Sequence, residues 1–327
     1  MQILLIINIF DFLVKNCYTL VRRRKEMENN LPDFLLEMLK KQYGIETTKK
    51  IIDGYSKNRL TTFRINTIKS NNEEIEEVLN RENIEYEKSN ISNEAYILKN
   101  VDESKIQELE IYKEGKIYLQ SLSSMLPPII LHPEQNNDIL DMAAAPGGKT
   151  TQMAAITDNK AHITACEMNT IRAERLKYNI EKQGASSVYC MVKDARNIDD
   201  FFSFDQILLD APCSGSGTLN INDDKLKKYF TEKLIQKSVK AQTALLRKAI
   251  KILKPGHEMV YSTCSILQEE NENVVNEILK NGNIEIVQIE NEFVKDLPLL
   301  PTKIDGTLCI MPNELFEGFF VAKLKKK

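Results

Sequence analysis

"DILDMAAAPGGKTTQMA", residues 138–154, runs a short apolar strand into small residues, two glycines and the start of a helix. Gly147 and Gly148 carry no Cβ, so the backbone there can approach a ligand closely. In an open α/β sheet, ligands bind at this position, beyond the carboxyl end of the first strand. The stretch is not G-x-G-x-x-G, which argues against a dinucleotide. Position 143 is Ala, so "PGGKT" is not a G-x-x-x-x-G-K-[ST] phosphate loop either.

The pattern continues outward from this stretch. "HITACE" (162–167), "SVYCMVKD" (187–194), "QILLDAP" (206–212) and "EMVYSTC" (258–264) are short apolar strands separated by helical segments at 149–157, 169–184 and 224–253. A further helix over 269–280 leads to two last strands, "IEIVQI" (284–289) and "GFFVAKL" (318–324). Near-continuous apolar strands alternating with helices predict a doubly wound, mostly parallel sheet. Seven strands with a closing hairpin-like pair is the α/β layout of a class I methyltransferase. A plain dinucleotide-binding fold has six.

Upstream, residues 27–115 are rich in lysine and glutamate and read as a small α+β module. Helices over 33–43 and 46–56 precede the strand "TTFRINTI" (61–68), the helix "NNEEIEEVLNREN" (71–83) and strands at "IEYEK" (84–88) and "AYILK" (95–99). The catalytic domain is then expected over 116–327. Residues 1–26 are apolar and basic, but Asp11 and Lys15 interrupt the run and the basic residues follow it. That order suits neither a signal peptide nor a membrane helix. The segment reads as a marginal helix, or as an upstream start before Met27, where Asn30 is placed to cap the first helix and Pro32 to sit in its first turn.

Composition narrows the function classes. The 327 residues are 42% hydrophobic, enough for a sizeable core, and carry a formal net charge of −3, so any nucleic-acid contact must come from local patches. Six cysteines with no C-x-x-C pair, and three scattered histidines, suggest neither a disulfide framework nor a metal site. Reduced thiols, a cytoplasmic location and no membrane partner are expected.

The acids and thiols at the strand ends carry the chemistry. Glu167 ends the second strand, twenty residues after Gly147, where a carboxylate accepts from two ribose hydroxyls. Asp194, at the third, is placed for an adenine amino group. With no phosphate loop, S-adenosylmethionine is the nucleoside that fits. Asp210 and Cys213 lie in "LLDAPCSGSG" (208–217), and Cys264 in "YSTCSI" (261–266). Cytosine C5 is a poor nucleophile until a thiolate adds at C6 while an acid holds N3 and the 4-amino group. An unperturbed thiol is only a few per cent thiolate near neutrality, so such a site must help it ionise. One cysteine would attack and the other assist release. The residues alone do not say which does which.

With these motifs the sequence resembles the Sun/Nop family of RNA 5-methylcytosine methyltransferases, most closely its compact archaeal tRNA-modifying members. The likeness runs from about Phe63 to the C-terminus through "FRIN", "IYLQSLSSMLPP", "DMAAAPGGKT", "DAPCSGSGT", "LLRKAIKILKPG", "YSTCSI" and "GFFVAKL". The resemblance implies Cys264 as nucleophile and Cys213 in release. It puts Ala143, Ala144, Ala145, Pro146, Gly147, Gly148, Lys149, Glu167, Arg172, Asp194 and Asp210 at the cofactor, with Lys149 and Asp210 also facing the target base. Ala143 stands where the family usually has Cys, "KPGH" replaces "KPGG", and "CIMPNELFEGFF" lacks the Pro-His of bacterial members. That last departure weakens an assignment to a bacterial rRNA enzyme, and tRNA is the expected substrate of a chain most like the archaeal members.

RNA contact is expected from Arg59, Arg64 and Asn66 of the module and from lysines 225, 227, 228 and 237. An accessory protein is left open. Three other readings remain: an rRNA enzyme of the same chemistry, an amino-group methyltransferase that reads "DAPC" as its acidic motif and leaves Cys264 idle, and an inactive RNA-binding relative.

Overall fold

The computed structural model describes residues 30–280 and 282–327, so the leader over 1–26 and the start at Met27 lie outside the described residues. The first helix, α1 (Asp33–Tyr55), joins the two expected helices across a kink at Gly44, whose φ of 75° is a conformation that favours glycine. Pro32 stands at its N-cap, and Asn30 donates instead to the carbonyl of Ile221.

α1 does not pack on the small module. Its apolar face (Leu35, Leu39, Tyr43, Ile51, Ile52 and Tyr55) enters the same core as Leu209, Leu246 and Val275 of the catalytic domain. The physical reason is area: about six turns of helix with large side chains on one face need a broad apolar surface, which a four-stranded sheet already covered by a helix cannot supply.

The module is β1 (Thr62–Ile65), α2 (Asn72–Arg81), β2 (Tyr86–Lys88), β3 (Ala95–Leu98), α3 (Glu103–Glu108), α4 (Glu110–Lys113) and β4 (Ile117–Leu119). Its antiparallel sheet has the order β2-β3-β1-β4. The Asn71 side chain accepts from the Glu74 amide to start α2, which lays Ile75 and Leu79 on Phe63, Tyr96 and Leu98. β1 is buried along its whole length and needs a partner on each side, so β4 completes the sheet. The boundary expected after residue 115 therefore falls inside the small sheet.

The larger unit follows: α5 (Leu122–Leu131), β5 (Asp138–Asp141), α6 (Gly148–Ile156), β6 (His162–Glu167), α7 (Thr170–Gln183), β7 (Val188–Val192), β8 (Phe204–Asp210), α8 (Leu226–Tyr229), α9 (Glu232–Ile252), β9 (Leu253–Thr263), α10 (Glu272–Leu279), β10 (Ile284–Val287), β11 (Leu299–Leu300), β12 (Leu308–Ile310) and β13 (Phe319–Lys326). The strand order is β11-β12-β13-β9-β8-β5-β6-β7, with β10 also paired to β13. The run from β9 to β7 is parallel, and β13 lies antiparallel on β9. The expected seven strands are present. β11 and β12 make nine among the described residues, and at two and three residues they are too short to show a period in sequence.

Chain order reverses between β5 and β8, so the carboxyl ends of β5, β6, β8 and β9 open on one crevice at the switch point. The two units are held together by side chains expected at the RNA. Arg64 is 3% exposed and Asn66 fully buried. Arg64 donates to Gln120, to Thr151 Oγ1 (2.7 Å) and to the Gly148 carbonyl, and Asn66 to the carbonyls of Gly115 and Gln183. Burial spends both residues on docking the module against α6 and α7, which withdraws them from any phosphate.

Candidate active site

Each strand end delivers one group to the crevice. At β5, Asp141 is buried and accepts from Thr150 Oγ1 at 2.7 Å. Burial pushes its carboxyl up to about 6, against the pull of Thr150 and Lys149. The turn after β5 reaches φ 109° at Gly147 and then starts α6. A Cβ on Gly148 would meet the Tyr118 ring at 3.1 Å, so the backbone lies as close to the wall as glycine allows.

At β6, Glu167 is 3% exposed. One of its oxygens accepts from the Asn169 amide, while Oε2 is buried with no hydrogen bond, 3.3 Å from Arg172 Nη1. Arg172 also donates to the Ala145 carbonyl at 2.7 Å, tying the acid to the glycine loop. Asp194 caps a short 3₁₀ turn two residues beyond β7 and pairs with Arg196, which holds its carboxyl below the usual range. Glu167, Arg172, Asp194 and Pro212 line a cavity of about 100 Å³. Ala143 belongs to that wall and to a second cavity of about 340 Å³ that holds Ser124, Lys149, Asp210 and Glu317. A larger space of about 480 Å³ lies between the small sheet, α5 and α6, where none of the strand-end acids or thiols reaches.

Lys149 Nζ lies 2.7 Å from Asp210 Oδ2 and 2.8 Å from Ser124 Oγ, and Ser262 donates to the other Asp210 oxygen. Burial alone would lower the lysine. The Asp210 charge and hydrogen bond, with Asp141, outweigh it and hold Lys149 protonated. The β8–β9 register sets Asp210 opposite Ser262, so the two cysteines leave adjacent strands at the same height. Their Sγ atoms are 2.7 Å apart, and both are free thiols. Hydrogen bonding to Cys264 pushes the Cys213 thiol up, and burial and the nearby Glu270 carboxylate add to it.

The crevice thus collects Cys264, Cys213, Asp210, Lys149 and the loop over 143–149, with Glu167, Arg172 and Asp194 alongside. Arg59 is half-buried, while the lysines at 225, 227, 228 and 237 are exposed. Sequence reasoning missed Ser124, Ser262 and Glu317, and above all Glu270. Glu270 sits in "LQEENEN" (267–273), at the start of the helix expected over 269–280, where nothing in the sequence marks it out, and its side chain is fully buried.

A mostly parallel sheet with this strand order, a glycine turn after its first strand and a buried carboxylate after its second define a class I methyltransferase. The sequence matches the family model of the 16S rRNA methyltransferases RsmB/F over residues 128–325 and that family's ferredoxin-like domain over 31–102. The chain belongs to this family of RNA methyltransferases. It is 35% identical to ribosomal RNA small subunit methyltransferase F of Shewanella loihica, over 81% of this chain and 56% of that enzyme, so it spans little more than half of that relative's length. It is 34% identical to the tRNA (cytosine(49)-C(5))-methyltransferase of Pyrococcus abyssi, over 81% of this chain and 88% of that one. Among solved structures, a methyltransferase homologue from Pyrococcus horikoshii superposes with a TM-score of 0.76 at 30% identity, covering 91% of this chain and all of the other.

Proposed function

We propose that the chain methylates C5 of cytosine in RNA, with S-adenosylmethionine as donor and Cys264 as the covalent nucleophile. The observation that carries this reading is the pair of free thiols 2.7 Å apart, set beside the Lys149–Asp210 ion pair. Neither an amino-group methyltransferase nor an inactive relative needs a thiol at this site.

The residues fit the donor. Glu167 Oε2 is an unsatisfied buried acceptor suited to ribose hydroxyls, Asp194 lies on the adenine side, and the backbone over 143–149 has the glycine freedom to pass close to the methionine part. Bound S-adenosylmethionine supplies an electrophilic methyl group to an electron-rich carbon.

The chain makes that carbon electron-rich. The Cys264 thiolate adds to C6, and the displaced ring electrons move toward C5 and N3. Lys149, protonated and fixed by Asp210 and Ser124, donates to N3 and neutralises the negative charge that develops there, while Asp210 accepts from the 4-amino group. After transfer, Cys213 Sγ takes the C5 proton as its own proton passes to the departing Cys264 Sγ, 2.7 Å away. The electron pair of that C–H bond re-forms the C5–C6 double bond and expels Cys264.

The test is a trapped adduct. Cys213→Ala should accumulate an RNA–protein adduct that survives denaturing gels, absent from the Cys213→Ala/Cys264→Ala double variant. Full methylation by Cys264→Ser would sink the covalent mechanism.

tRNA is the substrate we favour, supported by the match that takes in 88% of the Pyrococcus abyssi tRNA enzyme. The same chemistry on rRNA is the second reading, supported by the 35% identity to the Shewanella enzyme. Bisulfite sequencing of total RNA from a deletion strain separates the two by which RNA loses its 5-methylcytosine.

A further inference from the structure

One fully buried acid has no part in that mechanism and touches both cysteine loops. Glu270 accepts at Oε1 from the Ser214 amide (2.7 Å) and from Gln242 Nε2 (3.3 Å). At Oε2 it accepts from Ser214 Oγ (2.5 Å) and Ser265 Oγ (2.7 Å). Ser214 follows Cys213 and Ser265 follows Cys264, so a single carboxylate bridges the residues next to both sulfurs. Around it, Ser216 Oγ meets Ser265 Oγ at 2.7 Å, and the Gly217 amide donates to the Cys264 carbonyl. Tyr261 OH donates to the Glu270 carbonyl, holding the acid's own backbone.

The charges around the thiols are unequal. From α6, Lys149 interacts electrostatically with Cys264, held in place by Asp210 at the end of β8 and with Asp141 behind it. From the loop after β9, Glu270 acts on Cys213, with the neutral Tyr261 phenol beside it. A cation beside one thiol favours its ionisation, and an anion beside the other opposes it.

We propose that Glu270 is the positioning residue of the thiol pair: one carboxylate ties the two cysteine loops together and sets its charge on the Cys213 side, which makes Cys264 the more reactive sulfur. This rests on the reading of Cys264 and Cys213 as nucleophile and release group, and it supplies the asymmetry that the sequence left open.

The experiment is alkylation of the intact protein with limiting iodoacetamide near neutral pH, the labelled cysteines being mapped by peptide mass spectrometry. The wild-type chain should label Cys264 well ahead of Cys213. In Glu270→Gln, which keeps the size and loses the charge, the Cys264:Cys213 ratio should fall about tenfold, since one unit of thiol acidity is a tenfold change in thiolate. Binding of S-adenosylhomocysteine within a few-fold of wild type shows that the variant is folded. A carboxylate that merely fills space would lower thermal stability and leave the ratio alone, so an unchanged ratio in folded Glu270→Gln overturns the proposal.

Ser265→Ala cuts one tie and keeps the charge. It should melt a few degrees lower and retain the selectivity. Lost selectivity there also overturns the proposal, and it decides the matter if Glu270→Gln does not fold. Alkylation needs no turnover, so methylation surviving in Cys264→Ser would remove the nucleophile assignment and leave the labelling result standing.

Discussion

Glu167 Oε2 is a buried carboxylate oxygen with no hydrogen bond, and a ribose hydroxyl is a donor that satisfies it. Glu167→Ala removes a charged acceptor for two hydroxyls, which is worth about 1.5–3 kcal/mol, or about ten- to a hundred-fold in affinity. Calorimetric titration with S-adenosylhomocysteine should show that loss while RNA binding changes little, because Glu167 ends β6, away from the cysteines. Unchanged affinity in a folded variant would move the nucleoside elsewhere. At this scale the acids and thiols were legible because strand ends are visible in the chain: an apolar run stops, and the next polar residue faces the crevice. Glu270 was not legible, because its burial depends on Ser214 and Gln242, 56 and 28 residues away.

At the scale of elements, the cysteine loops stay in register by close backbone approach. The Gly318 amide donates to the Gly217 carbonyl at 2.8 Å, and a Cβ built on Gly217 would lie 1.9 Å from the Gly318 carbonyl oxygen. Gly217→Ala must therefore part the loop after Cys213 from the start of β13. It should cost about 1–3 kcal/mol in urea denaturation and reduce methylation far more than S-adenosylhomocysteine binding. Equal losses in both would mean that the loop does no more than support the fold. α1 backs the same loops from behind, with Tyr43 OH donating to the Ile266 carbonyl and Tyr55 OH to that of Ser216. Its helical halves were readable from apolar spacing on either side of Gly44. The surface they pack against was not, since periodicity gives the face of a helix and says nothing about its partner.

At the scale of the whole molecule, Arg64 and Asn66 make the two units one body. Removing the buried guanidinium in Arg64→Ala leaves Gln120 Oε1 without that donor and takes one hydrogen bond each from Thr151 and the Gly148 carbonyl. It should lower stability by about 1–3 kcal/mol. Because Arg64 touches no phosphate on this reading, the salt dependence of RNA binding should keep its slope. Replacing a lysine that does touch phosphate, among those at 225, 227, 228 and 237, should reduce that slope by about one unit. A flatter slope in Arg64→Ala would return that residue to the RNA.

The sequence by itself determined the elements and the chemistry at their ends. Apolar runs, glycines and strand-end polar residues are local signals, and a parallel α/β sheet aligns such ends at one crevice. Only the tertiary structure decided which polar residues are buried, and so which serve the fold. "FRIN" looks the same in sequence whether Arg64 and Asn66 face water or the carbonyls of Gly148 and Gln183, and "QEEN" the same whether Glu270 is solvated or bridges two thiol loops. A buried hydrogen bond takes its energy from a donor and an acceptor brought together from distant parts of the chain, and nothing near either residue in sequence records that meeting.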